Sequence, residues 1–135
     1  MEITSIHKPR IVVIGSCNTD MVVKANRLPV PGETILGGTF YMNPGGKGAN
    51  QAIAASRLGA EVTFISKIGY DLFGLQALEI YKSERINTDF IFTDQKNPSG
   101  VALISVDSFG ENSIIVAPGA SRSLSIEDIN KAEEK

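Results

Sequence analysis

The chain has 135 residues, 42% of them hydrophobic and 21% charged, with 13 basic against 15 acidic side chains and a net charge of -2. That balance describes one ordinary globular domain and excludes the concentrated basic charge of a nucleic-acid or membrane-surface binder. Cys17 is the only cysteine, which excludes a disulfide framework and a zinc cluster. The polar N-terminus and the absence of a long apolar run leave a cytoplasmic protein, without membrane association, as the expectation.

Ile11–Gly15 is a continuous apolar run and predicts a strand buried on both faces, as in a parallel sheet. Residues 16–20 form the loop at its carboxyl end. Residues 21–25 predict a second strand, and Leu28-Pro29-Val30-Pro31-Gly32 a rigid turn. Residues 34–41 predict a third strand, bent at Gly37-Gly38. A helix follows over 47–58, capped by Gly59, with Ala49, Ala52, Ile53 and Ser56 on the face that packs closely on a sheet. Residues 62–69 predict a second buried strand. Asp71 is placed to cap a helix over 72–84, which completes a βαβα pattern.

The remainder predicts strands at 89–93, 100–106 and 112–117, the last two joined by a hairpin turn over 107–111. With 21–25 and 34–41 these make about five antiparallel strands, read as a separate small sheet that acts as a lid. Ser125-Ile126-Glu127-Asp128 is a capping-box start for a helix running to Lys135. That helix meets no stop signal, and the reading frame is expected to continue.

Gly45-Gly46-Lys47-Gly48-Ala49-Asn50 is a glycine-rich turn that opens a helix, whose free N–H groups suit an anion or hydroxyl oxygens. It is not a Walker A loop: Tyr41 stands at the first glycine position, and Gly48 follows Lys47. Gln51 stands where the third glycine of a dinucleotide fingerprint belongs. The segment reads equally as a hinge between small sheet and helix, and a closing lid requires both properties. Asn18 and Asp20 are two apart on an extended segment, so they point the same way at the carboxyl end of a strand, where α/β sheets bind ligands. Such a pair suits adjacent sugar hydroxyls. On these two residues alone, an Asx turn followed by a cap is the preferred reading. Cys17 reads as a small buried residue, since His7, the only histidine, is not beside it. Glu33, Asp71, Asp107 and Glu111 sit singly in turns or caps and are assigned no catalysis.

Taken together, Val13–Asp20, Pro31–Thr34, Gly45–Ala52, Gly69–Gly74, Gly100–Ile104, Gly110–Asn112 and Ala117–Ala120 resemble, in order, the blocks of the ribokinase family of sugar kinases. The resemblance covers essentially the whole chain but only the N-terminal part of the family's length. It implies a partial ribokinase-like α/β core with a parallel sheet and a small β-sheet lid drawn from about 21–41 and 89–117. It implies transfer of a phosphoryl group from ATP to the primary hydroxyl of a pentose, D-ribose first. Asn18, Asp20, Gly46, Lys47, Gly48 and Asn50 would bind the sugar, Gly45 and Gly46 would act as hinge, and two lids would clasp in a homodimer. The family's catalytic aspartate lies in a Gly-Ala-Gly-Asp segment near the C-terminus. Here Gly119-Ala120 is followed by Ser121. The base, the nucleotide pocket and the sites for Mg2+ and K+ are therefore expected outside these residues. The resemblance implies that the chain alone is inactive and marginally stable. The alternatives are a non-catalytic sugar-binding or dimerising module, or part of another family member such as a fructokinase or adenosine kinase.

Overall fold

The computed structural model describes residues 7–133. Three strands, β1 (Arg10–Ile14), β4 (Glu61–Gly69) and β5 (Ile91–Asp94), form a parallel sheet in the order β1-β4-β5. Arg10 stands opposite Glu61, and Ser66 opposite Ile91. Two helices, α1 (Lys47–Arg57) and α2 (Leu72–Ser83), pack against it. Small residues let α1 approach closely: Gly48, Ala49 and Ala52 are all buried. The centre of the core is an edge-to-face pair, Phe64 of β4 on Tyr81 of α2, with ring centroids 5.4 Å apart.

Four strands form a second sheet in the order β3-β2-β6-β7: β3 (Thr39–Gly45), β2 (Asn18–Lys24), β6 (Gly100–Val106) and β7 (Asn112–Ala117). The small sheet is thus present, but with different strands and a different pairing from those expected. Residues 91–94 belong to the core, because α2 forms a crossover that returns the chain parallel to β4. This second sheet is mixed: β2 and β6 are parallel, and the outer pairs antiparallel. The reason is where each strand starts. Both β2 and β6 leave the core from the carboxyl ends of core strands and run outward, while β3 and β7 return.

Three further corrections have local causes. The third strand starts at Thr39, not 34, because Gly37 and Gly38 have φ of 101° and 106° and break the extended backbone. It then continues through Asn43-Pro44 to Gly45, which an edge strand tolerates. In β1 only Val13 is buried, and Ile11, Val12 and Ile14 are exposed, since β1 pairs with β4 alone and forms the sheet edge. Asn18-Thr19-Asp20 is strand rather than loop.

The predicted caps are present. Asp71 Oδ1 accepts from Gly74 N–H at 2.9 Å, and Gly59 closes α1 with φ 95°. Ser125 and Asp128 exchange reciprocal bonds at the start of α3 (Ile126–Glu133); residues 134 and 135 of the expected helix lie outside the described residues. A short 3-10 turn, Gly119–Ser123, precedes α3 and packs on β4. A half-buried ion pair, Lys67 Nζ to Asp128 Oδ2 at 2.8 Å, fixes α3 to β4. No helix among the described residues is long and apolar enough to cross a membrane.

Candidate functional site

The base of the four-stranded sheet, the carboxyl end of β1 and the start of α1 meet at one point. Asn18 opens β2 between two glycines, Gly45 of β3 on one side and Gly100 of β6 on the other. Each glycine makes room for a polar side chain. A methyl group on Gly100 would fall 2.3 Å from Asn18 Oδ1, and one on Gly45 would fall 2.1 Å from the Asp20 carboxyl. Asn18 and Asp20 therefore lie on one face of the four-stranded sheet, and the Asx-turn reading does not hold.

Both side chains are short of partners. Asn18 Oδ1 is buried with no hydrogen bond among the described residues. Burial pushes the Asp20 carboxyl above its ordinary pKa, and no donor opposes that shift. A buried acceptor beside a partly buried carboxylate, neither with a donor, favours a ligand that brings its own donors. Tyr41, Ile114 and Val116 share the face by register and are 42%, 51% and 52% exposed, so it is open rather than enclosed. A cleft of about 390 Å³ at the amino ends of β1 and β4, and a groove of about 470 Å³ between β3 and α2, include neither Asn18 nor Asp20.

The glycine-rich turn divides into different roles. Gly46 is the N-cap of α1 with φ 95°, pressed on the backbone of Ser16 and Cys17. A side chain there would be strained and would also meet the Ser16 carbonyl at 2.6 Å. Ala49 N–H bonds that carbonyl at 3.1 Å. Gly48 is buried and turned toward Gly15, where added atoms would lie 2.8 Å away, so its visible part is packing α1 onto the end of β1. Lys47 and Asn50 are exposed and three apart, on one side of the first turn. Gly45 is buried at the end of β3, in the one place that seats Asp20.

Sequence reasoning missed the tie between the two sheets. Asp71, beyond capping α2, accepts from Ser99 Oγ at 2.7 Å with Oδ1 and from Ser99 N–H at 2.7 Å with Oδ2. Ser99 Oγ in turn accepts from Gly69 N–H at 3.0 Å. Burial raises the Asp71 pKa, but the bonds from Ser99 and Gly74 outweigh it and hold the carboxyl below the ordinary value. One carboxylate thus fixes the end of β4, the start of α2 and the residue that leads into β6. The only advance signal was Ser99-Gly100 before an apolar run. Cys17 is buried, as expected. Burial raises its pKa more than the hydrogen bonds with Ser66 and Ser121 lower it. Glu33 is taken up by Arg27, and Asp107 by the backbone of its own hairpin.

Among the described residues no three His, Cys, Asp or Glu side chains come together as metal ligands.

Comparison with known proteins agrees with this architecture. The pfkB family carbohydrate kinases match residues 8–135. The chain belongs to that family. This pfkB-family chain is 43% identical to a mouse ribokinase over 122 residues, which is 90% of this chain and 38% of that protein. It is 47% identical to the Bacillus subtilis ribokinase over 110 residues, 82% of this chain and 37% of that one. The structure of Arabidopsis thaliana ribokinase complexed with ribose and ATP superposes with a TM-score of 0.77 at 34% identity, over 92% of this chain and 42% of that chain. The pfkB-family chain thus spans well under half the length of these relatives.

Proposed function

We propose that these residues form the sugar-binding wall and lid of an ATP-dependent sugar kinase acting on the 5-hydroxyl of D-ribose. The carrying observation is the seating of Asn18 and Asp20 side by side over Gly100 and Gly45, both acceptors lacking donors, beside the N-terminus of α1. A pentose brings adjacent hydroxyls, each both donor and acceptor. Asp20 accepts from one, Asn18 bonds another, and the first turn of α1, with Gly46, Lys47, Gly48 and Asn50, forms the floor. A site built to bond hydroxyls rejects analogues that lack them, because its own buried groups are then left unpaired. The names and titles of the relatives support ribose and ATP as the substrates. The base that takes the 5-hydroxyl proton, the nucleotide pocket and the cation sites (Mg2+ and K+) belong to residues outside this chain.

The lid sheet is the mobile cover in this reading, with Gly45-Gly46 as hinge. The exposed Tyr41, Ile114 and Val116 support a second lid packing against the first, in a homodimer. The 135-residue chain alone has no turnover.

The test is calorimetric titration of ribose into the complete product of the gene that encodes these residues, with and without Asp20→Ala. Losing the acceptor costs about 1–3 kcal/mol of sugar binding. Unchanged ribose affinity in that variant removes Asp20 from the site.

A further inference from the structure

We infer that Ser99 is a positioning residue of the sugar site, holding Gly100 in place against the Asn18 carboxamide; the inference rests on the reading of Asn18 and Asp20 given above. Asn18 Oδ1 is buried and has no hydrogen bond among the described residues, so no polar partner orients that oxygen. What it meets is Gly100, the direct partner of Asn18 across the parallel β2–β6 ladder. A methyl group on Gly100 would fall 2.3 Å from Asn18 Oδ1, so the oxygen lies against the bare α-carbon. The carboxamide is therefore placed by the backbone of Gly100.

That backbone is held by the residue before it. Ser99 is only 8% exposed. Its Oγ donates to Asp71 Oδ1 at 2.7 Å and accepts from Gly69 N–H at 3.0 Å, and its N–H donates to Asp71 Oδ2 at 2.7 Å. The surroundings are cleared for it. A Cβ on Gly69 would fall 2.3 Å from Ser99 N, and one on Gly74 would fall 2.9 Å from Ser99 Oγ. The preceding carbonyl, of Pro98, accepts from Ala120 N–H at 2.7 Å. The chain thus enters β6 gripped by the end of β4, the start of α2 and the 3-10 turn.

A helix cap alone does not require this arrangement. Asp71 caps α2 through Gly74 N–H with Oδ1, and its Oδ2 accepts instead from the N–H one residue before Gly100. Without the Ser99 hydroxyl, Asp71 Oδ1 loses a donor and Gly69 N–H is left buried without its acceptor. Unpaired buried groups are costly, so the backbone at 99–100 shifts to pair them again, and Asn18 follows. Binding groups work only within about 0.5 Å of their place, so a small shift is felt at the sugar.

The test is ribose titration of the complete gene product in a double-mutant cycle of Ser99→Ala with Asn18→Ala. The expected result is about tenfold weaker binding for Ser99→Ala in the parent, and a change under about twofold where Asn18 is already alanine, because the side chain that Ser99 positions is gone. Asp71→Asn in the same cycle reaches Gly100 by a second route. It keeps the shape of the side chain, but either orientation of its amide turns the NH2 group on a backbone N–H, that of Gly74 or of Ser99, and it gives the same pattern. Ser123→Ala is the control: its hydroxyl bonds Asp94 and the Ala120 carbonyl, not the entry to β6, and its loss leaves parent affinity. Parent affinity in Ser99→Ala, an equal loss in Ser123→Ala, or equal losses with and without Asn18 overturns the assignment. If Ser99→Ala does not fold, the Asp71→Asn cycle decides by the same criteria. Failure of the parent protein to bind ribose at all is the separate result that overturns the sugar-site reading, and this inference with it.

Discussion

Gly45→Ala isolates the seat of Asp20 from the stability of the fold. The backbone at Gly45 lies in a strand and has no left-handed φ, unlike Gly46 at 95°. Alanine is therefore compatible with the main chain, and by restricting the unfolded state it adds roughly 0.4–1 kcal/mol of stability. The conflict is with one side chain. The new methyl would stand 2.1 Å from Asp20 Cγ and Oδ1 and 2.2 Å from Oδ2, where ordinary contact begins at 3.4 Å. The carboxylate must retreat by about 1.3 Å, the difference between 3.4 Å and 2.1 Å. Binding groups need to be held within about 0.5 Å of their working position, so a shift of this size removes the bond to the sugar. A hydrogen bond to a charged group contributes about 1.5–3 kcal/mol, or ten- to more than a hundredfold in affinity. The assay is paired calorimetry: a thermal scan for the fold and a ribose titration for the site. The expected outcome is a melting temperature equal to or slightly above the parent's and ribose binding at least tenfold weaker. Binding within twofold of the parent would refute the claim that Asp20 acts from this seat. A large fall in melting temperature would show that the strand, not the side chain, gives way.

Two further perturbations test the frame around the site. The folded pKa of Asp71 is lowered, so its stabilisation is present above its unfolded value near 4 and is lost as pH falls through the folded value. Asp71→Asn keeps the shape, loses the charge-assisted bonds to Ser99, and flattens the acid limb of a melting-temperature profile below about pH 4 relative to the parent; parallel profiles would remove Asp71 as a titrating tie. Arg85 closes α2 with φ 61°, where a side chain costs about 1–2 kcal/mol and glycine does not, although glycine loses part of that gain through its freer unfolded state. Arg85→Gly should raise the melting temperature by roughly 2–5 °C, and a fall would show that the Arg85 side chain makes a stabilising contact larger than the strain.

Elements specified by neighbouring residues were legible in the sequence. Asp71 and Gly59 mark helix ends because capping is settled within a turn, and the Asp107–Glu111 hairpin because its bonds stay within five residues. Partners across a sheet were not. Nothing local to Ile91-Phe92-Thr93 tells whether it pairs with β4 or with the four-stranded sheet; the crossover through α2 decides. The apolar run of β1 states a preference for burial, but burial depends on what lies across the edge, and here only Val13 obtains it.

The candidate site shows the same division, with a consequence for how such sites are found. Asn18-Thr19-Asp20 taken alone favoured a turn, since short polar side chains bond their own backbone when nothing else is offered. Gly45 and Gly100, each far along the chain, change that outcome by leaving the two flanking strands bare where Asn18 and Asp20 must fit. A glycine in a strand weakens it and contributes no packing of its own. Two of them beside one short polar strand are therefore hard to account for as sheet structure, and simple to account for as space kept for side chains that must face a ligand. The pairing of a destabilising glycine with a polar partner short of donors is a more specific sign of a site than either the Asn-Thr-Asp motif or the glycine-rich turn is by itself.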